Sequence, residues 1–530
     1  MSDALRDLRT SVDRAAAALG GVLKAVPALE RPRQADHGDY ATNAAMLLTK
    51  ALGRPPRDIA ADLSAALSAE LGPHLERTDV AGPGFLNLVL SDGWHAEALA
   101  GVLAAGEAWG GSTPERPRKV NVEFVSANPT GPVHVGGARN AAYGDALARA
   151  LALAGHDVHR EFYVNDFGSQ VAMLGRSVQA RAHGEQVPEG GYRGDYVVRL
   201  AEQIAGAAEM ELEELSQRAV ALMVDAARAS LERFGVSFDT WFSEKGLHDA
   251  EKVQHAFDVL SRQERTYRSD GALWLRTTEF GDDKDRVIER ASGEHTYFAS
   301  DIAYHLDKRE RGFDLLLDVW GADHHGYVRR MHAAFEALGG AHDGLELLIM
   351  QLVSLSEGGE QVRMSKRAGE FVTLDDLVED IGVDAARWYL LQRSHDTTID
   401  LDLDLAKQQS SENPVYYVQY AHARMAAILR DAAADADPGA PAEPLHPSER
   451  ALVRALLAWP GEAAEAAARR APHRIATYVL DLAQTSAAFY RDCKVRGEPS
   501  EAFRVAVCLA TQRTLASALG TLGVSAPDEM

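Results

Sequence analysis

Val120, Val122 and Phe124 alternate with Asn121 and Glu123, a period of two that predicts a strand. Pro129, Gly131 and Pro132 break the pattern immediately after it. From about Ala138 an Ala/Leu-rich stretch runs to Leu153, and Gly155 is a suitable stop for a helix. This passage from strand through turn to helix constrains the fold most, because further strand–helix pairs follow it. Val158 to Val164, Phe313 to Trp320 and Leu345 to Leu355 read as strands with helical sequence between them. Such alternation points to an α/β region with a doubly wound parallel sheet.

The turn has its own chemistry. His134, Gly136 and Gly137 sit where the strand passes into the helix. Glycines there let a nucleotide approach the backbone, and a helix N-terminus favours phosphate. His134 can donate a hydrogen bond to a phosphate or ribose oxygen. The same residues also read as a tight turn with a surface histidine, and this segment alone leaves both open. A second polar stretch lies far downstream. Glu357-Gly-Gly-Glu360 turns the chain, and Arg363, Lys366 and Arg367 cluster before Gly369. Thr373 with Asp375 and Asp376 marks a helix start. A basic loop suits a triphosphate and the charge of departing pyrophosphate; a lone cluster of this kind is more often a solvated turn.

At 530 residues the chain exceeds one ordinary core, and 46% apolar residues support a globular protein. Residues 1–113 form a small α/β module, with a helical stripe of Leu5, Leu8, Val12, Ala16, Leu19 and Leu23. Gly110-Gly-Ser-Thr-Pro114 reads as a linker. Residues 114–395 carry the alternating pattern, interrupted at about 170–290 by charged helices and a hairpin that read as an insertion. Beyond 396 the strand signal vanishes and the chain reads as helical. Only Cys493 and Cys508 are present, with no Cys-x-x-Cys pair, so a structural zinc site is excluded and no metal ligand set is expected. No secretory signal and no bilayer-spanning apolar run are seen, so a cytoplasmic protein without membrane association is expected. The formal net charge of −23 argues against a nonspecific nucleic-acid coat. It leaves carboxylates for a cationic small substrate.

Two segments, Asn128-Pro-Thr-Gly-Pro-Val-His-Val-Gly-Gly137 and Val362-Arg-Met-Ser-Lys-Arg367, together resemble the paired ATP-handling signatures of class I aminoacyl-tRNA synthetases. Over nearly its full length the chain is similar to the arginyl-tRNA synthetases. Gly38-Asp-Tyr-Ala-Thr-Asn43 resembles their N-terminal tRNA-contacting domain. Val122-Glu-Phe-Val-Ser-Ala-Asn128, Phe238-Asp-Thr-Trp-Phe-Ser-Glu244, Tyr297-Phe-Ala-Ser-Asp301 and Gly321-Ala-Asp-His-His-Gly-Tyr327 resemble their active-site segments. Asn413-Pro-Val-Tyr-Tyr-Val-Gln-Tyr-Ala-His-Ala-Arg424 resembles the opening of their helical anticodon-binding domain. Two departures stand out. Gly137 replaces a second histidine, and Arg363 and Arg367 replace a lysine and a serine.

The resemblance implies a Rossmann-type catalytic domain between a small N-terminal domain and an all-α C-terminal domain. It implies ligation of arginine to tRNA(Arg) at the expense of ATP, with Mg²⁺ bound alongside ATP, in a chain expected to be a monomer. His134 and Lys366 become catalytic candidates. His134, Gly136, Gly137, Asp323, His324, Met364, Ser365 and Lys366 become ATP-binding candidates. Ser126 and Asn128 would hold the arginine α-amino group, while Glu244, Tyr297 and Asp301 would face its side chain. Tyr40, Asn43, Tyr416, Tyr420, Arg424, Tyr478 and Met530 become tRNA-binding candidates.

Elementary chemistry agrees with the arginine assignment. A guanidinium presents five donors in a planar fork and no acceptor, so its pocket needs carboxylates. Tyr297 and Asp301 are four apart and share a face if both are helical. Taken singly, Asp301 also reads as a helix cap, and Tyr297, Tyr416, Tyr417, Tyr420 and Tyr478 as packing aromatics. His324 and His325 are adjacent, so their side chains diverge on a helix, and no third metal ligand stands at useful spacing. Gly137 also raises a synthetase-like RNA-binding protein with a degraded site. A class I enzyme for another amino acid is a third reading.

Overall fold

The computed structural model describes residues 3–20, 23, 25–32, 37–362 and 372–530. The Val120–Phe124 alternation becomes strand β1 (Lys119–Glu123), which leads through a turn into helix α1 (Val135–Leu153). Strands β2 (Asp157–Val164) and β3 (Thr240–Ser243), helix α2 (Tyr297–Glu310), and strands β4 (Leu315–Gly321) and β5 (Leu345–Met350) follow. The five strands form one sheet in the order β5-β4-β1-β2-β3, and all of its pairings are parallel. Val120 and Val122 pack with α1 on one face. On the other face Glu123, Glu161 and Asp318 meet charged side chains at the α2 end. Helices on both faces make the sheet doubly wound, as the alternation predicts. Gly144 lets α1 approach β1: a Cβ there would lie 2.2 Å from the Phe124 ring.

Three strand readings are corrected. Thr240–Ser243, inside the segment read as an insertion, pairs with β2 and forms an edge of the central sheet. The apolar run Leu345 to Leu355 is two strands, β5 and β6 (Val353–Glu357). It parts at Gln351 and Leu352, whose carbonyls accept from the buried Arg139 guanidinium. Helix α3 (Leu374–Leu391) follows, and strand does not end at 396. Strand β7 (Ile399–Asp402) pairs in parallel with β6 and buries Ile399 and Leu401.

The N-terminal region carries a four-stranded antiparallel sheet with helices packed on it. The C-terminal region is helical, including α4 (Pro414–Asp431), α5 (His473–Asp492) and α6 (Glu501–Leu522). Pro414 opens α4 at its first turn behind an Asn413 cap. Helix α6 has the length and apolar character of a membrane span. Here it packs against α4, α5 and α1. Buried Arg387 on α3 joins three parts of the chain: it donates to Leu522 O at 2.9 Å, Phe234 O at 3.1 Å and Asp145 Oδ2 at 2.6 Å.

Candidate active site

The C-terminal ends of β1, β2, β3 and β4 open onto one edge of the parallel sheet, where ligands bind in folds of this kind. The end of β1 runs into Ser126 and Asn128 and then the first signature. The end of β2 runs into Asp166, that of β3 into Glu244, and that of β4 into the 3₁₀ turn Ala322–Tyr327. Most of the sequence-predicted catalytic-domain residues are therefore gathered at one edge, although the chain separates them widely.

The first signature caps α1. His134 Nδ1 accepts from Gly136 N–H at 3.1 Å and Gly137 N–H at 3.4 Å. An accepting Nδ1 places the neutral ring's proton on Nε2, the atom suited to donate to a phosphate oxygen. A Cβ at Gly137 would stand 3.0 Å from Val133 Cγ1, so a second histidine here would require the turn to give. Val133 O accepts from Leu374 N–H at 2.7 Å, and Val135 N–H donates to Val372 O at 3.1 Å. The turn is thus clipped to Val372 and Leu374, downstream of the second signature. Met364, Ser365 and Lys366 lie outside the described residues.

Two carboxylates define the other side. Asp301 is half-buried on α2, and its Oδ2 accepts from the Tyr327 hydroxyl at 2.7 Å. Burial raises the Asp301 carboxyl above the usual range; the Tyr327 hydrogen bond opposes this, and the Glu244 charge adds to it. Glu244 is 4% exposed at the start of the short helix Glu244–Asp249. Tyr163 packs against Phe242 and Tyr304, and its hydroxyl is pushed up by burial, then by the Glu244 and Asp301 charges. A desolvated pair of like charges is eased by a cation placed between them. Tyr297 lies one helical turn before Asp301 and is 69% exposed, so it is a surface aromatic rather than a packed one.

Ser126 and Asn128 are already engaged. Ser126 Oγ donates to Glu123 Oε1 at 2.8 Å and accepts from Tyr163 N–H at 3.1 Å. Asn128 exchanges hydrogen bonds with Gln170 at 2.9 Å and Asn165 at 3.0 Å, yet stays exposed. Asp323 and His324 are exposed beyond β4, with the His324 ring 5.7 Å from Trp320. Sequence reasoning missed Tyr163 and the hydrogen bond that the Tyr327 hydroxyl donates to Asp301. It also missed a buried cluster under the pocket, in which Lys308 meets Glu123 and Asp318. The polar residue Glu123 in a buried strand was the available signal.

Two tRNA candidates are buried. Tyr40 is 2% exposed and packs edge-on against Trp94, so no base can stack on it. Tyr478 is 5% exposed, stacks on Trp459 and donates to Ala455 O. Asn43 is half-buried, and its side chain accepts from Ala28 N–H. On α4, Tyr416 and Tyr420 stack with centroids 6.3 Å apart, and Arg424 lies over the rings of Tyr420 and Tyr490. Tyr420, Tyr490 and the terminal Met530 are exposed. Such a ladder can take unpaired bases.

Comparison with known proteins agrees with this geometry. Residues 6–90 match the family model described as the arginyl tRNA synthetase N terminal domain. Residues 99–191 and 193–425 match that of the class I (R) tRNA synthetase catalytic domain. Residues 418–530 match the DALR anticodon binding domain. The arginine–tRNA ligase of Frankia alni is 47% identical over 522 residues, covering 95% of this chain and 94% of that protein. A putative arginyl-tRNA synthetase structure from Campylobacter jejuni is 33% identical, with TM-score 0.77 over 83% of this chain and 100% of that chain. The Thermus thermophilus arginyl-tRNA synthetase is 26% identical, with TM-score 0.77 over 99% of this chain and 100% of that chain. The chain belongs to the arginyl-tRNA synthetase family of class I.

Proposed function

We propose that this chain charges tRNA(Arg) through a pocket in which Glu244 and Asp301 receive the guanidinium of arginine. The observation that carries the reading is the pair itself: buried Glu244 and half-buried Asp301, the latter held by the Tyr327 hydroxyl, at the sheet edge that also carries the capped strand-to-helix turn. Tyr297 flanks the guanidinium, and Ser126 and Asn128 face the α-amino end. The arginine carboxylate attacks the α-phosphate of ATP, and pyrophosphate leaves. A ribose hydroxyl at the tRNA 3′ end then takes the arginyl group, and AMP leaves. No protein nucleophile is required, so rate comes from positioning and electrostatic stabilisation.

His134 and the glycine N–H groups serve the phosphates, with Asp323 and His324 on the nucleotide side. By resemblance, Met364, Ser365 and Lys366 complete that side. Mg²⁺ enters with ATP, held by phosphate oxygens and water. Among the described residues, no group of three or more His, Cys, Asp or Glu side chains is placed to hold a metal. Residues 1–113 and 396–530 receive the tRNA body and anticodon, and 114–395 carry the chemistry. The enzyme acts as a monomer in the cytoplasm. Charging total tRNA with each amino acid in turn tests the reading. Arginine alone should be esterified, with AMP formed in step; charging with another amino acid would contradict it.

A further inference from the structure

The turn leading from β1 to the first signature is strained. Val125 and Ser126 have φ of +69° and +40°, the only adjacent non-glycine pair in the left-handed region among the described residues. For a β-branched valine this conformation is a genuine outlier, and such strain persists only where the surroundings impose it. The restraint is visible. Ser126 Oγ donates to Glu123 Oε1 at 2.8 Å, and the other oxygen of that carboxylate takes Lys308 Nζ at 2.6 Å.

Lys308 has no exposed surface, and it also reaches the opposite wall. Its ammonium donates to Asp318 Oδ1 at 2.8 Å. Asp318 Oδ2 meets His305 Nε2 at 2.8 Å, and His305 Nδ1 meets the backbone carbonyl of Asp301 at 2.7 Å. The Tyr304 ring lies 4.2 Å from the ammonium, and Glu161 adds a third carboxylate nearby. A single buried cation therefore holds the Ser126–Asn128 wall through Glu123 and the Asp301 wall through Asp318 and His305.

We propose that Lys308 is a positioning residue for arginine: it sets the spacing between the two walls of the pocket without touching the substrate. The proposal rests on the pocket assignment given under Proposed function. Charge-assisted bonds are strong in a dry core, and the close packing around them transmits small displacements because it cannot absorb a shift. Its signature is selective, since the walls it ties face the amino acid while the nucleotide lies over the α1 turn.

The test compares Lys308→Met, Lys308→Arg, Asp318→Asn and Asp301→Asn in the full chain. Steady-state tRNA charging is measured against arginine and ATP separately, with thermal unfolding alongside. Lys308→Met should raise the arginine KM at least tenfold and leave the ATP KM within about threefold. Lys308→Arg, which keeps the charge, should recover part of the loss. If Lys308→Met does not fold, Asp318→Asn carries the test, because it cuts only the arm towards His305 and should show the same selectivity. Folded Lys308 and Asp318 variants with a normal arginine KM, or with both constants raised equally, would overturn the proposal. Asp301→Asn separates the two readings: if it leaves the arginine KM unchanged, the pocket assignment itself has failed. If it alone raises that constant, the pocket stands and the positioning role falls.

Discussion

In the proposed pocket, Asp301 is the residue that selects the guanidinium. An ionised carboxylate accepts charge-assisted bonds from a guanidinium, whereas asparagine brings two donors to face the substrate's own. Hydrogen bonds to charged groups contribute about 1.5–3 kcal/mol, so Asp301→Asn should raise the arginine KM roughly ten- to a hundredfold. Citrulline, the neutral analogue, should become the better competitor in charging assays. Tyr327 tunes the same carboxyl. Burial raises Asp301, while the Tyr327 hydroxyl, His305 and His324 lower it and Glu244 raises it. Arginine needs the ionised form, so affinity is present above that raised pKa and fades as pH falls through it. Tyr327→Phe removes a lowering contact, so the acid limb of the arginine KM profile should move to higher pH. An unmoved limb would show that the hydroxyl does not tune the site. Asp301 is named by the family resemblance, and a guanidinium's need for a carboxylate agrees with it. Tyr327 was not legible, because the bond joins residues 26 apart across two elements.

At the scale of elements, a clip between Val133–Val135 and Val372–Leu374 ties the first-signature turn to the start of α3. Thr373 caps α3, accepting from Asp376 N–H at 3.0 Å while the Asp376 carboxylate accepts from Thr373 N–H at 2.9 Å. Thr373→Ala should lose about 1 kcal/mol of stability in denaturant unfolding. It should also raise the ATP KM more than the arginine KM, since the cap seats the turn beside the nucleotide. Equal effects on both constants would detach the clip from nucleotide binding. This cap was legible from the spacing of Thr373 and Asp376 alone. Thr240–Ser243 and Ile399–Asp402 were missed because four residues give too little period to detect, although Ile399-Asp-Leu-Asp402 does alternate. Leu345–Leu355 merged two strands because the break at Gln351 carries no glycine or proline. It is held instead by Arg139, more than 200 residues away in sequence.

Across the whole molecule, Arg387 and Asp145 fasten the helical C-terminal region to the first-signature helix. Asp145 also takes Arg149 at 2.8 Å, and Arg149 in turn reaches Gly520 O at 3.3 Å. Removing one partner of a buried ion pair costs about 3–5 kcal/mol. Arg387→Ala should therefore lower global stability by that order and expose the 396–530 region to limited proteolysis. Protection equal to the parent chain would show that other contacts hold the regions together. The three-part order was legible from composition shifts and strand–helix alternation, but these ties were not, since a buried arginine gives no local pattern. The pocket remains the centre of the account, and the structure of the enzyme with a non-hydrolysable arginyl-adenylate analogue tests it most directly. The guanidinium is expected between Glu244 and Asp301, with donor–acceptor distances of about 2.7–2.9 Å, and the phosphate at the His134 turn. A guanidinium bound away from both carboxylates would contradict it.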